Sequence, residues 1–292
     1  MLKGDMEKIL EKINMIFGGR GMDKKFPFLL WLFKYVFAMI QKDSPITVNT
    51  GYGKNLIVSA RDAGLGLMLR TRGKYEPLLT DYLQTNVKQS VIAVDIGANV
   101  GYFTKQLAEL VGNKGRVIGF EPCETNWKYL TKNVAGHKNV VIVQVALSDT
   151  DGLHRFSEDR ANPGENGLSR RGNLRVKTMT MDGWMKAKRI QKINLIKIDV
   201  EGAEVMVLKG AKTMIRNQKK ITVICECNPE ALQKLGYSAI DLTKILKSCG
   251  LKIGQIMDER LKIKCDYTPE KLNMMLAKSA YVTLISEGGY AK

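Results

Sequence analysis

Val94–Thr104 reads VDIGANVGYFT. An apolar run ends on Asp95, Gly97 and Gly101 flank a turn around Asn99, and a helix-like segment follows at once. Glycines allow tight backbone geometry and close approach of a ligand, while a helix start offers unpaired N–H groups. The pattern is therefore that of a strand, a ligand-binding loop and a helix. Its spacing, D-x-G-x-N-x-G, differs from the G-x-G-x-x-G of dinucleotide-binding loops. Further along, Glu121 in GFEP closes the next apolar run, where a carboxylate can accept hydrogen bonds from both hydroxyls of a ribose.

Working outward, the same alternation recurs. VIAVD (91–95), VIGFE (117–121), VVIVQV (140–145), INLIKI (193–198) and ITVICE (221–226) are short runs rich in β-branched residues, each of a length suited to a strand buried on both faces. Amphipathic helix candidates fall at 101–111, 125–134, 203–215 and 238–249. Such alternation predicts right-handed βαβ crossovers and an α/β fold: a doubly wound, mostly parallel Rossmann-like sheet with helices on both faces. Ligands bind beyond the carboxyl ends of such strands, and Asp95, Glu121, Asp199, Glu201 and Glu226 fall there. Residues 151–184 are too long for a simple crossover. They predict a β-hairpin excursion, 153–156 paired with 174–179, whose tip either covers a substrate or is an inert surface insertion.

A chain of 292 residues is long for one compact domain, so a main domain over 71–292 with an N-terminal extension over 1–70 is expected. The extension reads as helical from Met1 to about Ile46, followed by a small β element with a turn at Gly51 to Gly53. Within it, FPFLLWLFKYVFAMI (26–40) is short for a spanning helix and lacks a cleavage pattern. Its aromatics, with Lys24, Lys25 and Lys42 beside them, leave two readings open: packing against the protein, or peripheral contact of residues 24–42 with an anionic membrane. Lys and Arg outnumber Asp and Glu 46 to 29, which suits an acidic partner or a solvated basic surface equally. No RNA-binding module is recognisable, which disfavours nucleic acid. Five cysteines without a CxxC pair, and only two histidines, argue against a disulfide scaffold or a zinc site and for a reducing, cytoplasmic setting.

VDIGANVGYFT, GFEP, VALSDTDG (145–152), TMTMDGW (178–184) and IKIDVEGAEVMVLKGA (196–211) occur in this order and together resemble the FkbM family of S-adenosylmethionine-dependent, class I methyltransferases. The resemblance covers about residues 73 to 230; Met181 stands where the family usually has leucine. It implies that the backbone from Gly97 through Asn99 to Gly101 holds the methionine part of S-adenosylmethionine, with Asp95 near its amino group. It further implies that Glu121 takes the ribose diol, that Ala146 borders the adenine, and that Glu76 reaches the cofactor. The implied reaction is O-methylation of a small-molecule, glycan or lipid-linked acceptor.

The cofactor's methyl group is already electrophilic, so the protein must supply alignment and, for a hydroxyl acceptor, a base. In KIDVEGAE, Lys197, Asp199 and Glu201 share one side if the strand continues that far. An acid beside a lysine could accept a hydroxyl proton or ligate a divalent cation. The alternative is that Lys197 and Asp199 are only a structural pair and Glu204 only opens the next helix. Glu226 in ECNP is a further candidate for orienting the acceptor.

Overall fold

The computed structural model describes residues 27–289 apart from 43, 51, 53, 54, 160 and 161. The expectation of helix over Met1 to Phe26, and the two glycines of the expected turn, lie outside the described residues. Pro27–Ile40 is helical as expected, but the helix stops there. Pro45–Asn49 is strand β1 and pairs antiparallel with β2, Asn55–Ser59. The sequence reading had run the helix on to Ile46. Proline has no N–H to donate and is at home on the first residue of an edge strand, so Pro45 opens β1.

The main sheet is built from β3 (Ile92–Ile96), β4 (Arg116–Phe120), β5 (Val140–Val143), β10 (Leu195–Ile198), β11 (Ile221–Cys227), β12 (Leu251–Asp258), β13 (Ile263–Asp266) and β14 (Val282–Gly288), in the spatial order β13-β12-β14-β11-β10-β3-β4-β5. Strands β5, β4, β3, β10 and β11 are parallel. β14 runs antiparallel between β11 and β12. The order reverses between β3 and β10, and this switch point is where a doubly wound sheet opens a crevice.

Alternate side chains of each strand feed opposite layers. Val94, Ile96, Ile118, Phe120, Ile196 and Ile198 pack with residues of helices Met181–Lys188, Glu204–Gly210 and Ala239–Ser248. Ala93, Val117, Leu195 and Ile224 pack with residues of helices Tyr102–Val111, Pro77–Asn86 and Leu65–Arg72, and with Val48, Leu56 and Val58 of the β1–β2 hairpin. The expected helix over 203–215 is two helices, Glu204–Gly210 and Lys212–Arg216. A Cβ on Gly210 would lie 2.0 Å from the carbonyl oxygen of Ser148, so backbone approaches backbone at the point where the helix breaks.

The excursion is a second, four-stranded sheet, ordered β6-β9-β7-β8, from β6 (Ala146–Leu147), β7 (Gly152–Ser157), β8 (Gly167–Leu168) and β9 (Leu174–Met179). The expected pairing is present, with Leu153 opposite Lys177 and Phe156 opposite Leu174. Helix Pro27–Ile40 buries Phe37 against Ala63 and Leu67, which answers part of the question left open for that segment. Its Lys34 also reaches Glu165 of the excursion at 3.2 Å.

Asn133, 5% exposed, completes the edge of β2. Its Oδ1 accepts the N–H of Ile57 at 2.7 Å, and its Nδ2 donates to the carbonyls of Ile57 and Val100, each at 2.8 Å. Asn133→Ala leaves these backbone groups without partners and is expected to cost about 1–3 kcal/mol. Urea denaturation of the variant beside wild type measures that loss.

Candidate functional site

Where the sheet order reverses, the carboxyl ends of β3, β4 and β10 open on a cleft. Asp95, Gly97, Asn99, Glu121, Ala146, Lys197, Asp199 and Glu201 all line it, so the structure brings these eight residues singled out from sequence together. Gly101 and Glu76 do not line it. Gly101 has φ +94°, and a Cβ there would come 2.8 Å from Leu130 Cδ1. Its smallness thus serves helix packing and the αL turn into Tyr102–Val111.

The loop is held by Glu121, 4% exposed. One carboxylate oxygen accepts the N–H of Asn99 and the other the N–H of Cys123, both at 2.8 Å. Each oxygen keeps a further lone pair. Burial pushes the Glu121 carboxyl up to about 7, against the pull of those two N–H groups. Gly97 has φ +82°, and a Cβ on it would lie 1.8 Å from the carbonyl oxygen of Asp199, so the loop lies directly against the tip of β10.

Three buried acceptors in the cleft wall have no hydrogen-bond partner: Oδ1 of Asp95, of Asn99 and of Asn126. Such atoms call for a ligand that brings donors. S-adenosylmethionine, with an ammonium, two ribose hydroxyls and an adenine amino group, has that complement. The sequence reading missed Asn126, which lies on helix Glu124–Val134 just beyond GFEP and whose Nδ2 donates to the carbonyl of Pro163 at 3.4 Å. Its position on the first turn after an acid-tipped strand was the available signal. Pro163, Gly164, Asn166, Gly167 and Leu168 of the excursion form one wall of the cleft, which decides between the covering and the inert readings of that segment in favour of a cleft wall.

Lys197 is 3% exposed and opposite Asp95 in the β3–β10 ladder. Its Nζ stands 3.1 Å from Asp199 Oδ2 and 3.8 Å from Asp95 Oδ1, over the ring of Phe103 at 4.9 Å. Burial works against the ammonium, yet Asp199, Asp95 and Glu76 together hold its pKa above the ordinary lysine range. β10 ends at Ile198, and Glu201 has φ +54°, so the strand does not continue far enough to put Glu201 beside Lys197, as the alternation had implied.

Glu76 stands beside Asp199 and Glu226. It sits at the residue before helix Pro77–Asn86 with φ +40° and no capping bond from its side chain, is 5% exposed, and offers a carboxylate oxygen within 4.8 Å of those of Asp199 and Glu226. Burial and the charge of Asp199 push it up to about 8. Burial and Asp199 likewise raise Glu201 and Glu226 well above the usual carboxylate range. The trio can present three oxygen ligands to a divalent cation, or accept hydrogen bonds from a polyhydroxyl compound. Of the six non-glycine residues with positive φ among the described residues, Glu76, Asn99 and Glu201 belong to this site, as is usual where backbone strain is kept for function.

The family model described as Methyltransferase FkbM domain matches residues 95–253. The hexuronic acid methyltransferase AglP of Haloferax volcanii is 28% identical over 159 residues, 54% of this chain and 62% of that protein. Protein-L-isoaspartate O-methyltransferase of Caenorhabditis elegans is 31% identical over 80 residues, 27% of this chain and 36% of that protein. The chain thus spans less than two thirds of the length of these curated relatives. Among solved structures, a SAM dependent methyltransferase from Aquifex aeolicus aligns at 15% identity with a TM-score of 0.41, covering 73% of this chain and 88% of that one.

The Glu76 carboxyl gives a pH prediction. A raised folded pKa means that the native state holds the proton more tightly, so its contribution to stability is whole below about 4.5 and is lost as pH rises through about 8. Glu76→Gln stays neutral throughout. Relative to wild type without ligand, the variant is expected to gain stability steadily between pH 5 and pH 8, measured by urea denaturation at each pH; a difference independent of pH would contradict the burial of an ionisable Glu76.

Proposed function

The chain belongs to the FkbM methyltransferase family, and we propose that it transfers a methyl group from S-adenosylmethionine to a hydroxyl of a carbohydrate, a lipid-linked glycan or another secondary metabolite. The observation that carries the hydroxyl acceptor is the position of Asp199, which lines the cofactor cleft and also belongs to the carboxylate trio with Glu76 and Glu226. A hydroxyl must lose its proton as it is methylated, and a carboxylate within reach is a suitable acceptor for that proton. The name of the Haloferax relative, which acts on a hexuronic acid, supports a carbohydrate.

In this reading Asp95 Oδ1 takes the amino group of the cofactor, and the backbone of Gly97–Asn99 lies along its methionine part. Glu121 takes the two ribose hydroxyls, while Asn126 and Ala146 border the adenosine. When bound, S-adenosylmethionine supplies a methyl group on a sulfonium, a leaving group that needs no further activation. Asp199 accepts the acceptor's hydroxyl proton. Lys197 fixes the Asp199 carboxylate by its 3.1 Å contact and ties it to Asp95, so the two ends of the site keep one geometry. Glu76 and Glu226 hold neighbouring hydroxyls of the acceptor, and Glu201 closes the cleft beside Gly167, whose Cβ would meet it at 3.2 Å.

Membrane contact through residues 24–42 stays within the proposal. No helix among the described residues is long and apolar enough to cross a membrane. Leu32 and Met39 are exposed on the helix that buries Phe37, which suits contact with a membrane surface rather than insertion through it.

Calorimetric titration tests the cofactor half of the proposal. Glu121→Ala is expected to weaken S-adenosylmethionine binding about a hundredfold, roughly the loss of two charge-assisted hydrogen bonds. Wild-type affinity in the variant would remove the ribose assignment. For the chemical half, Asp199→Asn is expected to lower kcat by about 10²–10⁴ while leaving cofactor affinity within a few-fold of wild type. Repeating both with added magnesium or manganese separates a proton-accepting Asp199 from a cation-ligating one, because only the latter ties activity to the metal concentration.

A further inference from the structure

Outside the cleft, a second, solvent-open depression is lined by His154, Arg155, Leu168, Ser169, Arg170, Met206, Leu235 and Tyr237. Leu168 lines both and so forms the partition between them. The floor is apolar, from Leu168, Met206 and Leu235. The polar lining contains no carboxylate: two guanidinium groups, two hydroxyls, and an imidazole whose nitrogens face the hydroxyls of Thr178 and Thr150. Lys209 adds a cation at the rim, with its Nζ 3.2 Å from the Tyr237 hydroxyl and 4.8 Å from the centre of the ring.

Both arginines, although exposed, are placed by the backbone. Arg170 Nη2 donates to the carbonyl of Leu235 at 2.8 Å, and Arg155 Nη1 to that of Gly172 at 3.3 Å. Gly236 has φ +86°, and a Cβ there would come 2.6 Å from Arg170 Nη2, so the glycine leaves room for the guanidinium to lie across the turn. Each arginine spends one of its five N–H donors in this way. Neither is paired with a carboxylate among the described residues. Arg155 also sits directly opposite Arg175 in the β7–β9 ladder, and like charges in that relation destabilise a sheet unless an anion offsets them.

We infer that this depression binds the phosphoryl group of a phosphorylated acceptor, a sugar phosphate or a lipid-linked diphosphate. Two guanidinium forks presented at fixed positions suit phosphate oxygens, which take parallel N–H bonds. Ser169 and Tyr237 complete the donor set, and the apolar floor gives the adjoining non-polar part of the ligand a surface to lie on. The phosphoryl chemistry stands on this depression alone; that the ligand is the methyl acceptor rests on the methyl-transfer proposal.

Titration of the full chain with inorganic pyrophosphate, and separately with farnesyl diphosphate, tests the inference in wild type, Arg155→Gln and the double variant Arg155→Gln/Arg170→Gln. Saturable binding of at least one probe is expected in wild type, with Kd raised about tenfold in Arg155→Gln and further in the double variant, as for loss of charge-assisted bonds. Comparable binding of both probes points to a soluble phosphorylated ligand, and clearly tighter, variant-sensitive binding of farnesyl diphosphate to a lipid-linked one. Absence of saturable binding by either probe, or affinities in both variants within twofold of wild type, overturns the inference. S-adenosylmethionine titrated into the same samples keeps the two ideas apart: it should bind all three proteins alike, and its failure to bind wild type would fault the methyl-transfer proposal instead. Arg155→Gln removes no packed side chain, so the test does not depend on the fold tolerating the double variant.

Discussion

The site depends on a buried ammonium. Lys197 enters the sheet from β10 opposite Asp95 of β3 and reaches Asp199 just beyond its own strand. A charge so placed is tolerated only with partners at hand. Here the partners lie on the two strands that flank the switch point of the sheet. The contact therefore does two things at once: it makes the sheet interior habitable for an ionised side chain, and it sets the spacing between the glycine loop after β3 and the carboxylates after β10. The 1.8 Å that separates a hypothetical Gly97 Cβ from the Asp199 carbonyl expresses the same constraint sterically.

Charge is divided sharply over the molecule. The chain carries a formal +17, yet the region beside the cleft around Glu76, Asp199, Glu201 and Glu226 is carboxylate-rich, with the Lys197 ammonium against Asp199. Excess arginine and lysine lie outward, on the β7–β9 ladder and beyond. An acceptor with hydroxyls at one end and an anionic group elsewhere meets complementary groups in both places, whereas a uniformly anionic polymer would be repelled from the carboxylate-rich end.

Much of this was legible in the sequence, and the legible part had a physical reason. Five β-branched runs buried on both faces can scarcely be anything but parallel strands, and the structure has a strand within each, although β10 begins two residues late. The glycine turn and Glu121 were readable because a loop at a strand tip needs small residues and an acid there has few structural uses. The failures share a cause as well. Asn126 was missed because its neighbour in space, Pro163, comes from another part of the chain. The break at Ala211 depends on a close approach to Ser148 that no helical periodicity records, and the strand at Pro45 on a hairpin partner beyond a glycine-rich turn. β12 to β14 alternate less cleanly and pair antiparallel, and helix-and-strand counting does not announce such pairing.

β14 lies inside the sheet although it follows all the other strands in the chain. β11 can have no neighbour on that side, and the β12–β13 hairpin no place to attach, until residues 282–288 arrive. During synthesis the protein thus passes through a stage with a long, largely buried-type strand edge uncovered, the kind of edge that recruits other chains. Loss of β14 would sever the hairpin from the parallel sheet, so the glycine loop after β3 is made well before the sheet that supports it is sealed.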